Sequence, residues 1–245
     1  MTRQRKRRSA PDVESVKVTR RHSTSVAAKG RSIRVLACDP DPVVQYGIRE
    51  MVAPAPHIRI AQVCSTGFDL LEAARGANWD LLILSVELGD VDGIDLLTRL
   101  RHDGVATPAL FFCDLPSRIY GVRALREGAW GFLSKDSQPE EMIRAIETIY
   151  AGKRYIDQEL AEGLAAFVAG SHEPGPELLS NREFQVLCMI ADGARLNQIA
   201  DRLSISLSAV NSCRRLLLKK LRLKRNVDFT RYALMHGLID QEVIK

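Results

Sequence analysis

From Ile33 onward the chain alternates short apolar runs with longer amphipathic stretches. The runs Ile33–Cys38, Ile58–Cys64, Leu81–Leu84, Ala109–Cys113 and Gly131–Leu133 are almost wholly apolar, the pattern of parallel strands covered on both faces. Between them, Val43–Val52, Phe68–Ala74, Ile94–Arg101, Ile119–Glu127 and Pro139–Ala151 read as amphipathic helices. Five such units predict an α/β fold, a doubly wound five-stranded parallel sheet spanning residues 31–157. Folds of this kind present functional groups at the carboxyl ends of their strands, so the residues just after each strand are the candidates.

The pattern breaks over residues 158–177, where Gly170, Pro174, Gly175 and Pro176 mark a linker with a short helix at Gln158–Val168. Beyond it the periodicity is purely helical, and residues 178–245 predict an all-α four-helix domain. Ser180 and Glu183 have capping-box spacing ahead of the run Phe184–Ile190. Further helices are expected at Leu196–Leu203, at Leu207 to about Leu221 after a turn through Ser204 and Ile205, and at Val227–His236, ending near Gly237. Val210, Cys213, Leu217 and Leu221 form the buried stripe of the third helix, leaving Asn211, Ser212, Arg215 and Lys219 on another face.

Charge changes this picture more than composition does. Residues 1–30 hold nine Lys+Arg against two Asp+Glu, residues 31–177 hold 14 against 22, and residues 178–245 hold 12 against six. A basic end beside an acidic centre points to a control domain joined to a polyanion-binding domain. The first 30 residues, with Arg3, Arg5, Lys6, Arg7 and Arg8 clustered and few large apolar side chains, read as a disordered basic arm. Five scattered cysteines without a CxxC pair argue for reduced thiols in a cytoplasmic protein, and against a disulfide framework or a zinc site. No apolar run reaches the roughly 18 residues of a membrane span.

Residues 31–157 resemble the receiver domain of two-component response regulators, through Ile33–Asp39, Val91-Asp92-Gly93, Thr107-Pro108, Gly128-Ala129-Trp130-Gly131 and Lys135-Asp136. With the C-terminal part, the chain resembles the NarL/FixJ-type regulators. In that family an acidic pair after the first strand and an aspartate after the third hold Mg²⁺, and that aspartate accepts a phosphoryl group. A Thr or Ser after the fourth strand and a Lys after the fifth bind the phosphoryl oxygens. Here the acceptor position is Ser85, the acidic pair has become Asp39-Pro40 with Asp41 one place on, and the hydroxyl position is Cys113. Only Lys135 is in place, and the aromatic switch position holds Phe132. A neutral serine with no base beside it is a weak nucleophile. Ser85 and Pro40 each remove a carboxylate from a hard cation, which Asp41 could partly replace, and Cys113 is a poor donor to a phosphoryl oxygen. The expectation is a pseudo-receiver, a degenerate phosphorylation pocket of Asp39, Asp41, Ser85, Cys113 and Lys135, with no cofactor and no bound metal. Asp39 and Lys135 would neutralise each other.

Residues 178–245 resemble the LuxR-type helix-turn-helix domain. The matches are Leu179–Glu183, Val186-Leu187, Asn197–Ala200, Leu203, Ser206, Ala209-Val210, Leu217-Leu218, Lys220-Leu221 and Tyr232-Ala233. The resemblance makes Leu207–Leu221 the recognition helix. Asn211, Ser212, Arg215 and Lys219 then face base edges, as Asn can read adenine and Arg guanine. Lys220, Arg222, Lys224 and Arg225 suit phosphate contact. Arg214, where the family has an apolar residue, and Ser204, where it often has a turn glycine, depart from the pattern. These features predict a transcription regulator, not an enzyme, that binds double-stranded DNA as a homodimer without aspartyl phosphorylation. The alternatives are a regulator gated by a small effector or a protein modulator at the receiver-like domain, and an adaptor that has lost promoter binding.

Overall fold

The computed structural model describes residues 31–169, 175–176 and 179–239. The expected basic arm lies outside the described residues. Five strands, β1 (Ile33–Cys38), β2 (Ile58–Cys64), β3 (Leu81–Leu84), β4 (Ala109–Cys113) and β5 (Gly131–Ser134), form one sheet in the order β2-β1-β3-β4-β5. All four pairings are parallel, as the apolar runs predict.

The crossover helices cover both faces. Helices α1 (Pro42–Val52) and α5 (Pro139–Tyr150) bury Ile48, Val52, Met142, Ile146 and Ile149 against Val35, Ile83, Leu110 and Leu133. On the other face, α2 (Gly67–Gly76), α3 (Gly93–His102) and α4 (Val122–Arg126) cover Leu36, Leu82, Leu84, Phe111 and Phe132. Side chains of successive strand residues thus alternate between two cores. The helix starts follow local chemistry. Asp41, Thr66 and Asp92 each accept a backbone N–H in the first turn of the helix that follows. Gly93 is required by space, since a Cβ there would lie 2.0 Å from the Ser85 carbonyl oxygen.

One element differs from expectation in helix type, and one in its packing. The helix expected over Ile119–Glu127 begins as a π-helical turn, Ser117–Gly121, before the short α4. The helix expected at Gln158–Val168 forms as α6 (Gln158–Ala169), and it packs on that π turn. Leu160 is fully buried, and Gly163 lies so close to the Arg118 backbone that a Cβ would fall 2.5 Å from its carbonyl oxygen. This close fit, at Gly163 and at Gly121, where a Cβ would lie 2.8 Å from Leu160 Cδ1, makes the helix a layer of the first domain.

The C-terminal helices are α7 (Asn181–Ala191), α8 (Leu196–Arg202), α9 (Leu207–Lys220) and α10 (Val227–Met235). Their core of Phe184, Val186, Leu187, Ile199, Val210, Leu217, Phe229 and Ala233 is continuous with the α2–α4 core of the first domain. No helix among the described residues is long and apolar enough to cross a membrane.

Candidate nucleic-acid interface and the receiver-like pocket

The pocket at the carboxyl edge of the sheet brings together Asp39, Ser85, Cys113 and Lys135. The parallel register sets this: Ser85 N donates to Cys38 O at 3.0 Å and Lys135 N donates to Cys113 O at 3.3 Å. Asp39 is 1% exposed. Its Oδ2 lies 2.9 Å from Lys135 Nζ, and its Oδ1 accepts the Asp41 amide at 2.9 Å. The Asp39 carbonyl accepts Gln45 Nε2 at 2.7 Å. Asp41 is turned outward and spends its carboxylate on the first turn of α1, accepting Val43 N at 2.8 Å. Ser85 is buried, and burial pushes the Cys113 thiol up to about 12, with backbone hydrogen bonds and Lys135 opposing the rise. Burial likewise pushes Cys38 up to about 12. At neutral pH these thiols are protonated packing groups and weak nucleophiles.

The helix-turn-helix is built by two left-handed helix ends. Ser204, at φ 50°, ends α8 with Ile205 N donating to Ala200 O and Ser204 N donating to Asp201 O. Arg222, at φ 55°, ends α9 through Leu223 N to Leu218 O and Arg222 N to Lys219 O. Both are Schellman motifs, which glycine fills most easily. The start of α9 is fixed by Ser206, whose hydroxyl accepts Ala209 N at 3.1 Å.

Val210, Cys213 and Leu217 point into the core and Arg215 and Lys219 into solvent. Asn211 donates to Leu207 O at 3.0 Å, and Arg215 Nη2 donates to Ser212 Oγ at 3.2 Å. The three polar side chains therefore share one face of α9. Arg222, Lys224 and Arg225 are exposed just beyond its end. Asp228 Oδ2 accepts the Lys224 and Arg225 amides at 3.1 and 2.8 Å, holding that basic loop.

Two residues carry roles the sequence pattern hid. Lys220 pairs with the Glu183 carboxylate at 2.7 Å, so the first and third helices of the domain are tied by an ion pair. Burial pushes the Glu183 carboxyl up, but Lys220 and hydrogen bonds from Ser180 outweigh it and hold it below its ordinary value. Arg214 donates from Nε to Asn226 Oδ1 at 2.6 Å, which ties α9 to the residue that opens α10. A charged residue in place of an expected apolar one was the signal for that contact.

The chain thus joins a parallel α/β domain to a helix-turn-helix domain. The chain matches the response regulator receiver domain over residues 35–147 and the bacterial regulatory proteins of the luxR family over residues 177–233. It is 30% identical over 212 residues to the response regulator GacA of Pseudomonas protegens, covering 85% of this chain and 98% of that one. The response regulator UvrY of Escherichia coli is 27% identical over 214 residues, covering 86% and 98%. Among solved structures, RcsB of Salmonella typhimurium superposes with a TM-score of 0.67 at 18% identity, covering 84% of this chain and 98% of that one. RcsB of Salmonella enterica serovar Typhimurium bound to promoter rprA, with the phosphomimetic BeF3−, gives 0.64 at 20% identity, covering 82% and 98%. The chain belongs to the response regulators with a luxR-family regulatory domain.

Proposed function

We propose that this chain is a sequence-specific, homodimeric DNA-binding transcription regulator whose receiver-like domain works without aspartyl phosphorylation. The observation that carries the reading is the closed Asp39–Lys135 pair, 2.9 Å apart, beside a serine at the acceptor position. A lysine free to meet an incoming phosphoryl group is instead neutralised by the pocket's one buried carboxylate. The donor set does not fit Mg²⁺: Asp39 is committed to Lys135 and the Asp41 amide, Asp41 caps α1, and Ser85 offers a neutral hydroxyl.

On the DNA side, the Asn211, Ser212 and Arg215 face of α9 supplies base-edge donors and acceptors. Lys219, Arg222, Lys224 and Arg225 supply phosphate contacts. Lys220 contributes charge from within its pair with Glu183. Val227, 61% exposed, and Met235, 77% exposed, leave α10 with apolar surface for a second copy. The solved RcsB complexes include two RcsB dimers bound to two parallel DNAs. Selection of bound genomic fragments followed by footprinting tests the reading. The expected result is a pair of half-sites whose occupancy is unchanged by Mg²⁺ with a beryllium fluoride phosphoryl mimic. Absence of any specific fragment would overturn DNA binding, and a mimic-dependent footprint would overturn the independence from phosphorylation.

A further inference from the structure

The two domains share a buried contact that neither the receiver-like pocket nor the DNA-reading face uses. Its centre is Arg123 of α4, only 3% exposed although it is a charged residue on a five-residue helix. Its guanidinium carbon lies 3.6 Å from the ring centroid of Phe184 on α7 and 5.5 Å from that of Tyr120. Tyr120 and Phe184 meet edge to face at 5.1 Å. Arg123 also donates to the Asn181 side-chain oxygen at the start of α7. Around it, Asn181 Nδ2 donates to Asp95 Oδ1 at 2.6 Å and to Asp92 Oδ1 at 3.3 Å, and Gln185 Nε2 donates to Asp95 Oδ2 at 2.7 Å.

We propose that the Asp92, Asp95, Tyr120 and Arg123 surface is the receiver-like domain's docking site for α7, with Arg123 the positioning residue. The dock holds the DNA-binding domain with its reading helix uncovered. Burying a guanidinium is costly unless its charge and donors are met. Here the ring that faces the guanidinium and the amide oxygen that accepts from Nη2 both come from the other domain, while Nε is buried without a partner, so Arg123 fits its site only in this register. Buried polar contacts of this kind set orientation more than affinity, while Tyr120 against Phe184 and the continuous core supply the apolar burial. The geometry also fixes the sign of the effect. The dock uses α7, whereas Arg215 and Lys219 are exposed and Asn211 and Ser212 hydrogen-bond within α9. Docking and DNA reading use different faces, so the docked form is the DNA-competent one.

The inference rests on the DNA-binding reading above, and two separate readouts keep the two apart. Nuclear spin relaxation of the full chain should give one rotational correlation time for both domains. Arg123→Gln, and separately Asn181→Ala with Gln185→Ala on the face of α7 turned to the receiver-like domain, should give two. The same variants should bind a single half-site within twofold of wild type. They should bind the complete two-half-site operator about tenfold more weakly, because the two DNA-binding domains of a dimer are no longer pre-positioned. Arg123→Lys keeps a cation over the Phe184 ring and should restore part of the operator affinity. A common correlation time in the folded variants would overturn the docking role. Tighter DNA binding would show that the contact occludes DNA, and unchanged operator affinity in uncoupled variants would refute positioning. A wild-type chain that binds no DNA would refute the functional reading, with the relaxation result still deciding the dock.

Discussion

Lys135 Nζ lies 2.9 Å from Asp39 Oδ2, at the carboxyl edge of the sheet and between the ends of β1 and β5. The pair closes the pocket from within. With Asp39 almost wholly shielded from water, its charge depends on that single ammonium and on the Asp41 amide. Removing one partner should therefore cost more than removing both. Lys135→Ala is expected to destabilise the chain by about 3 kcal/mol, while Asp39→Leu with Lys135→Met recovers most of that loss. Urea unfolding of the single and double variants measures it. Equal losses for single and double variants would mean that the pair contributes nothing as a pair.

The reading face makes a separable prediction. Arg215→Ala should lose roughly 1–3 kcal/mol of discrimination between operator and unrelated DNA. Arg222→Ala should weaken both about equally and lower the slope of log affinity against log salt by about one. Titrations at several salt concentrations distinguish the two behaviours. Wild-type discrimination in Arg215→Ala would remove that residue from the reading face.

Ser204 and Arg222 both sit in the left-handed region, where a side chain costs about 1 kcal/mol and glycine costs nothing. The greater freedom of glycine in the unfolded chain returns roughly 0.5 kcal/mol of that gain. Ser204→Gly should therefore raise stability by about 0.5 kcal/mol and leave DNA affinity alone. Arg222→Gly should raise stability similarly yet weaken DNA binding, because a phosphate contact is lost with the strain. Thermal unfolding and DNA titration of the same two variants check the split.

How much of this was legible in the chain depends on how far apart the partners lie. The sheet and the buried stripe of α9 follow from local periodicity, since β1, β3, β4 and β5 are almost wholly buried and Val210, Cys213 and Leu217 recur at helical steps. The π turn at Ser117–Gly121 was not legible, because an apolar run of that length fits either helix type. The helix at Gln158–Val168 was legible as α6, but its packing was not; its burial depends on Gly163 meeting Arg118, 45 positions earlier in sequence. Arg123 did leave a trace, a charge inside the apolar run from Ile119 to Leu125. Its meaning required Asn181 and Phe184, more than 50 residues on.

The Glu183–Lys220 pair predicts a pH dependence. The folded carboxyl is held below its ordinary value, so its contribution to stability is complete above the unfolded glutamate value and is lost as pH falls through the folded one. Unfolding midpoints between about pH 5 and 3 should decline in wild type and decline less steeply in Glu183→Gln and in Lys220→Ala. Identical slopes in all three would assign the acid sensitivity elsewhere.

The most direct test of the central claim is the intact mass of the full chain after incubation with a small phosphodonor and Mg²⁺, paired with a DNA titration of the same sample. Ser85 lacks the carboxylate an acyl phosphate requires, and Lys135 is already paired with Asp39. The expected result is an unshifted mass and unchanged DNA affinity. Ser85→Asp alone should restore neither, since Pro40 and Cys113 still stand where a metal carboxylate and a phosphoryl donor are needed. A stoichiometric phosphoryl adduct that tightens DNA binding in the wild type would contradict the account.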